Sequence, residues 1–319
     1  MSLLFSLSCG SMKKLQGNLA VLLVLLLAGV SARAELNVLV IEGLGGEVVY
    51  QKQFDKEVAA IRAASAGLTS ADHLQVLNGE AATRANIMAV LRQWAISLNK
   101  EDRLAIYLIG HGTYDGYEYK FNIPGADLSG AELARMLDAI KSESQLIVAT
   151  GSSSGALQEA LKKEARIIVT ATRNGNERNI TQFGHLFAEA LAAPAADTDK
   201  NGRISVQEAF DLASRKVKDY YEAESRLATE HAQLTGARAG VFAIAQLAGA
   251  EVHVTAANSG LIAQREQLDS QIEELRLRKD SLAEEEYFRQ LEPLMLQLAE
   301  LDARIDAESG KAVQGGGSP

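Results

Sequence analysis

Four short apolar runs constrain this chain more than anything else in it: Leu36 to Ile41, Leu104 to Ile109, Gln145 to Ala149 and Arg166 to Thr170. Each is too short for a helix of ordinary length. None shows the strict apolar–polar alternation of a strand with one wet face. Runs of this kind read as strands buried on both faces. Between them lie segments of helical spacing or composition, at 50–66, 81–98, 129–140, from about 154, and at 181–192. In 81–98 the spacing is carried by Ile87, Val90, Leu91 and Trp94; in 129–140 Ser129 and Glu132 form a capping-box signature. Leu74 to Leu77 adds a short strand and 114–123 a small hairpin. The pattern predicts an α/β fold, with a mostly parallel sheet covered by helices on both faces. Ligands of such sheets gather beyond the carboxyl ends of the strands.

Two of those carboxyl ends carry residues with chemistry. The 104–109 strand runs into Gly110-His111-Gly112, and the 145–149 strand into Thr150-Gly151-Ser152-Ser153-Ser154-Gly155. A third stretch has Val169-Thr170-Ala171-Thr172-Arg173 followed by Phe183 and Phe187 to Leu191. In this order the motifs resemble the caspase/legumain clan of cysteine peptidases, nearest to legumain and its bacterial relatives. The resemblance covers roughly residues 36–192, with 205–245 as an extension, and implies a caspase-like fold. In that clan the histidine assists a thiol, and the backbone N–H of the next glycine helps hold the oxyanion. Carried over by position, His111 is the base or acid, Gly112 the oxyanion donor, and Ser152 stands where the clan has cysteine.

That replacement changes the chemistry. A thiol is partly ionised near neutral pH, whereas a serine hydroxyl needs an aligned base, itself oriented by a third group. Asp115, four residues past His111, is a candidate orienter and equally a turn residue. Two functions from different classes follow. One is a degenerate, non-catalytic homologue acting as a calcium-stabilised binding or scaffold module, with a peptide or protein ligand at the cleft. The other is an active peptidase using Ser152 with His111.

Calcium enters through residues 197–208. Asp197, Asp199, Asn201, Arg203 (through its carbonyl), Ser205 and Glu208 occupy the ligand positions of a twelve-residue EF-hand loop, with Gly202 at the turn. Such loops usually come in pairs, and the sequence offers no second one. The glycines at 43, 45 and 46 lack dinucleotide spacing, and His73, His185, His231 and His253 lack metal-ligand spacing.

From about 259 the composition changes. Leu261, Leu268, Leu275 and Leu282 recur every seven residues, and Leu291, Leu298 and Ile305 continue in a shifted phase near Pro293. This predicts a helical coiled-coil hairpin over 259–308, or one kinked helix, able to self-associate or to take a partner helix. Arg265 and Lys279 interrupt the seam. Residues 309–319 read as a disordered tail.

At the other end, Lys13 and Lys14, the apolar run Leu19 to Val30, and Ala32-Arg33-Ala34 form a signal-peptide pattern, with the start at Met1 or Met12. It predicts cleavage near Ala34 and a periplasmic or secreted protein, residues 35–250 forming its main domain. A lipid anchor on Cys9 is the rival reading. Cys9 is the chain's single cysteine, so no thiol would remain after cleavage. Net charge is −9, and 1–34 hold bases but no acid. The remainder is therefore more acidic still, which argues against nucleic acid as a partner. After the leader, no segment reads as a membrane span.

Overall fold

The computed structural model describes residues 35–247 and 259–315. The signal-peptide region lies outside the described residues. Six strands form the central sheet: β1 (Leu36–Glu42), β2 (Leu74–Leu77), β3 (Arg103–Ile109), β7 (Ser144–Ala149), β8 (Arg166–Thr170) and β10 (Gln233–Thr235), in the spatial order β10-β8-β7-β3-β1-β2. All neighbours are parallel except β10, which runs antiparallel to β8 at the edge. The expected α/β fold with a mostly parallel, caspase-like sheet is what forms.

Each central strand divides its side chains between two cores, because successive residues point to opposite faces. Val38, Val40, Ala105, Tyr107, Val148 and Val169 pack beneath α1 (Val48–Ser65), α5 (Phe183–Ala190) and α6 (Val206–Ala223). Leu39, Ile41, Leu104, Ile106, Ile147 and Ile168 pack beneath α2 (Arg84–Ser97), α3 (Gly130–Asp138) and α4 (Leu157–Leu161). The capping box at Ser129 and Glu132 is formed at the start of α3. A small antiparallel sheet of β4 (Gly112–Tyr114), β5 (Tyr119–Phe121) and β6 (Leu128–Ser129) follows β3.

One region departs from what its sequence suggests. The polar stretch 205–234 suggests one long helix, yet α6 stops at Ala223. The amide of Arg226 bonds back to the Tyr221 carbonyl at 2.9 Å while Ser225 takes a left-handed backbone (φ 51°). This is a Schellman-type stop with serine where glycine is usual, so the ordinary stop signal is missing from the sequence. Before α6, β9 (Arg203–Ser205) pairs antiparallel with β11 (Ala243–Gln246).

At the C-terminal end, α7 (Ser259–Leu277) and α8 (Glu284–Gly315) pack together. Arg265 of α7 reaches Asp302 of α8 at 2.7 Å across the intervening turn, so the two run antiparallel. The chain reverses at 278–283, directly before the Glu284 to Glu286 run that, with Pro293, lies near the change of heptad phase; Pro293 itself lies inside α8. Glu284 to Glu286 open α8, where carboxylates suit the helix dipole. α8 continues past the expected boundary at 308.

Candidate functional site

β3 and β7 are neighbours, with Leu108 opposite Ala149. The residues following them therefore emerge side by side. His111, Ser152, Glu57 of α1 and Thr181 line one small pocket, with room for about one water molecule. The sequence-predicted His111, Gly112 and Ser152 are thus brought to one place, beyond the carboxyl ends of the strands.

Their hydrogen bonds do not join histidine to serine. The Ser152 hydroxyl donates to the Gly112 carbonyl at 3.1 Å. Nε2 of His111 lies 3.2 Å from the Gly45 carbonyl, which can only accept, so this nitrogen carries the proton. The imidazole is gripped edge-on by Tyr50 and Phe54, with ring centroids 5.5 and 5.2 Å away. Asp115 does not orient it. Its carboxylate accepts from the amides of Tyr117 and Glu118, each at 2.9 Å, which is turn chemistry.

Backbone geometry at the serine is tight. Ser153 takes φ 59°, its amide donates to the Glu177 carbonyl at 2.8 Å, and its buried hydroxyl has no partner. The Ser154 hydroxyl accepts from the Ala171 amide at 3.0 Å and so ties the turn to the end of β8. A Cβ at Gly112 would lie 2.4 Å from the Tyr119 hydroxyl, so glycine is required there by packing as well as by any oxyanion role. That Tyr119 hydroxyl is buried and, among the described residues, unpartnered.

Sequence reading missed Glu57. It is 2 % exposed, and burial pushes its carboxyl up to about 7, against a single opposing hydrogen bond from Gln53 at 2.9 Å. A signal was present: Phe54, Val58 and Ile61 place Glu57 on the apolar stripe of its own helix.

The 197–208 loop has a second geometry. Asp197, Asp199 and Glu208 each present a carboxylate oxygen within 4.8 Å of the others, a cluster that could hold a metal ion. Asp197 accepts from the amides of Asn201 (2.9 Å) and Gly202 (2.8 Å), and Gly202 turns the loop at φ 76°. Asp199 lies at the surface, but partial desolvation of its carboxylate in the loop, then the charge of Glu208, pushes it up to about 6. Burial also works on Glu208, but hydrogen bonds from Ser205 and Thr198 outweigh it and hold that carboxyl below its usual range. Three carboxylates so placed are oxygen ligands of the kind that suits hard divalent cations. β9, inside this loop, has β11 as its partner, the role a second loop usually plays. Arg265, which broke the heptad seam, also has its reason. Burial opposes its charge, and Asp269, Asp302 and Asp199 more than offset that.

A parallel α/β sheet with histidine and serine beyond two adjacent strands defines a peptidase-type fold of the legumain kind. Residues 48–235 match the family model of the Peptidase C13 family, more than half of the chain, and the chain belongs to that family. No curated protein matches it. Among the described residues, no helix is long and apolar enough to cross a membrane.

Proposed function

We propose that this chain is a Peptidase C13 homologue that has lost hydrolysis and keeps the cleft as a binding site for a peptide or protein segment, on a scaffold stiffened by calcium. One observation carries the reading. The single proton of Ser152 is donated to the Gly112 carbonyl, while His111 is turned to Gly45 and held there by two aromatic rings. A serine without a base is a poor nucleophile. Calcium would be held by Asp197, Asp199, Asn201, the Arg203 carbonyl, Ser205 and Glu208. There it would neutralise mutually repelling carboxylates and tie α6 to β9. The protein works outside the cytoplasm after removal of residues 1–34. The α7–α8 hairpin, with Phe288, Met295 and Leu296 exposed, supplies a second contact surface for self-association.

The test is hydrolysis of a broad fluorogenic peptide library, with a fluorophosphonate probe for reactive serine. The expected result is no turnover and no labelling, and gain of labelling by a thiol-reactive probe in Ser152→Cys. Turnover by the natural chain that Ser152→Ala abolishes would establish the rival reading, an active serine-based peptidase.

A further inference from the structure

Glu57 is an acid where the fold has no internal use for one. Among the described residues it forms no ion pair, and its one hydrogen bond comes from Gln53 on the same helix. Space has nevertheless been left for it. At Gly184, in the first turn of α5, a Cβ would stand 2.7 Å from the second carboxylate oxygen and 2.8 Å from Cβ of Thr150. The carboxylate thus lies in the wall of the pocket that His111 and Ser152 share.

That pocket has a readable chemistry. Glu57 is the one acid among its lining residues, and no lysine or arginine lines it. Ile180, at 38 % exposure, and Phe54 supply apolar wall. The Thr181 hydroxyl donates to the Thr150 carbonyl at 2.5 Å, which leaves its lone pairs able to accept. The space suits a group the size of a water molecule. An ammonium is that size, whereas a guanidinium is a wide planar fork.

We propose that Glu57 is the specificity-determining residue of the cleft, receiving the ammonium of a ligand lysine whose methylene stem lies between Phe54 and Ile180. The proposal rests on the cleft being a peptide-binding site, as argued above. Burial of the carboxyl agrees with it. An unpaired acid in such a place resists ionisation until a cation arrives, and among the described residues no cation reaches it.

The experiment uses the full chain and fluorescent peptide pools of one length, randomised except at one central position. That position holds lysine, arginine, Nε-acetyllysine or norleucine, and binding is read by fluorescence polarisation. The lysine pool is expected to bind at least tenfold more tightly than the other three, and Glu57→Gln to erase that preference while leaving weak binding common to all pools. Circular dichroism checks that the variant is folded. Equal binding of all four pools, or a lysine preference that survives Glu57→Gln, overturns the assignment and leaves the cleft reading standing. Binding by none overturns both. Cleavage confined to the lysine pool keeps the assignment and overturns only the loss of hydrolysis.

Discussion

Replacing Glu57 by glutamine should stabilise this protein, and by an amount that grows with pH. Glutamine keeps the shape of the side chain, and its carbonyl can still accept from Gln53. It removes the charge. The glutamate carboxyl titrates near 4.5 when solvated and at about 7 in its buried position. Below pH 4.5 both states are protonated and the residue carries no electrostatic penalty. Between 4.5 and 7 the unfolded chain ionises first, so folding must take up a proton. Above 7 the penalty is complete. Linkage puts it at about 2 kcal/mol at pH 5.8 and about 3 kcal/mol at pH 8.5.

Both pH values lie above the isoelectric point of 5.2, which keeps the protein negatively charged during the measurement. Trp94, the single tryptophan, is buried and reports unfolding by fluorescence in urea. The gain from Glu57→Gln should rise by about 1 to 2 kcal/mol between the two conditions. Taking the difference between variant and parent cancels every other titrating group that the substitution leaves alone. A gain that is the same at both pH values, or a loss of stability at pH 8.5, would refute the argument that the carboxyl is buried without a counter-charge.

The other expectations concern the neighbouring elements. Gly184→Ala should destabilise by about 1 to 3 kcal/mol, because its Cβ must displace either the Glu57 carboxylate or Thr150; urea titration reads it, and combination with Glu57→Ala should recover part of the loss. Calcium at ten times its dissociation constant should raise the melting temperature by about 4 °C, and Glu208→Gln should remove most of that shift. A melt indifferent to calcium and to chelator in both proteins would exclude the ion. Tyr119→Phe should be neutral or slightly stabilising, since the hydroxyl is buried without a partner; a loss above about 1 kcal/mol in thermal or urea melts would mean that it is hydrogen-bonded in solution.

The apolar runs of β1, β3, β7 and β8 were legible because burial on both faces leaves only one kind of residue acceptable along a strand. The carboxylate cluster of Asp197, Asp199 and Glu208 was legible because their spacing in a tight loop brings acids together, and the capping box of α3 because two orphan amides need two particular side chains. β10 was not. Gln233 to Thr235 has no apolar signature, and its strand exists because β8 presents an open edge. The end of α6 was hidden by Ser225 standing where glycine usually signals a stop. Placing His111 and Ser152 at adjacent strand ends followed from topology, but the direction of the imidazole did not. That depends on Tyr50, Phe54 and Gly45, residues more than fifty positions away whose side-chain packing no local pattern encodes.

Those same distant contacts separate two accounts of the cleft. If the cleft had no use, each residue should drift toward whatever the fold finds most stable. The grip of Tyr50 and Phe54 on His111 fits that account, for it spends the histidine on packing. Glu57 does not. By the linkage above, an uncharged residue of the same shape is expected to be more stable at neutral pH by about 3 kcal/mol, a large share of a protein's marginal stability. Gly184, moreover, is the one residue type that leaves room for the carboxylate, so the acid and its space occur together. Retaining a destabilising charge beside a pocket is how binding sites ordinarily differ from cores. The pair Glu57 and Gly184 is thus hard to explain by stability alone, and it accords with the proposed use of the pocket.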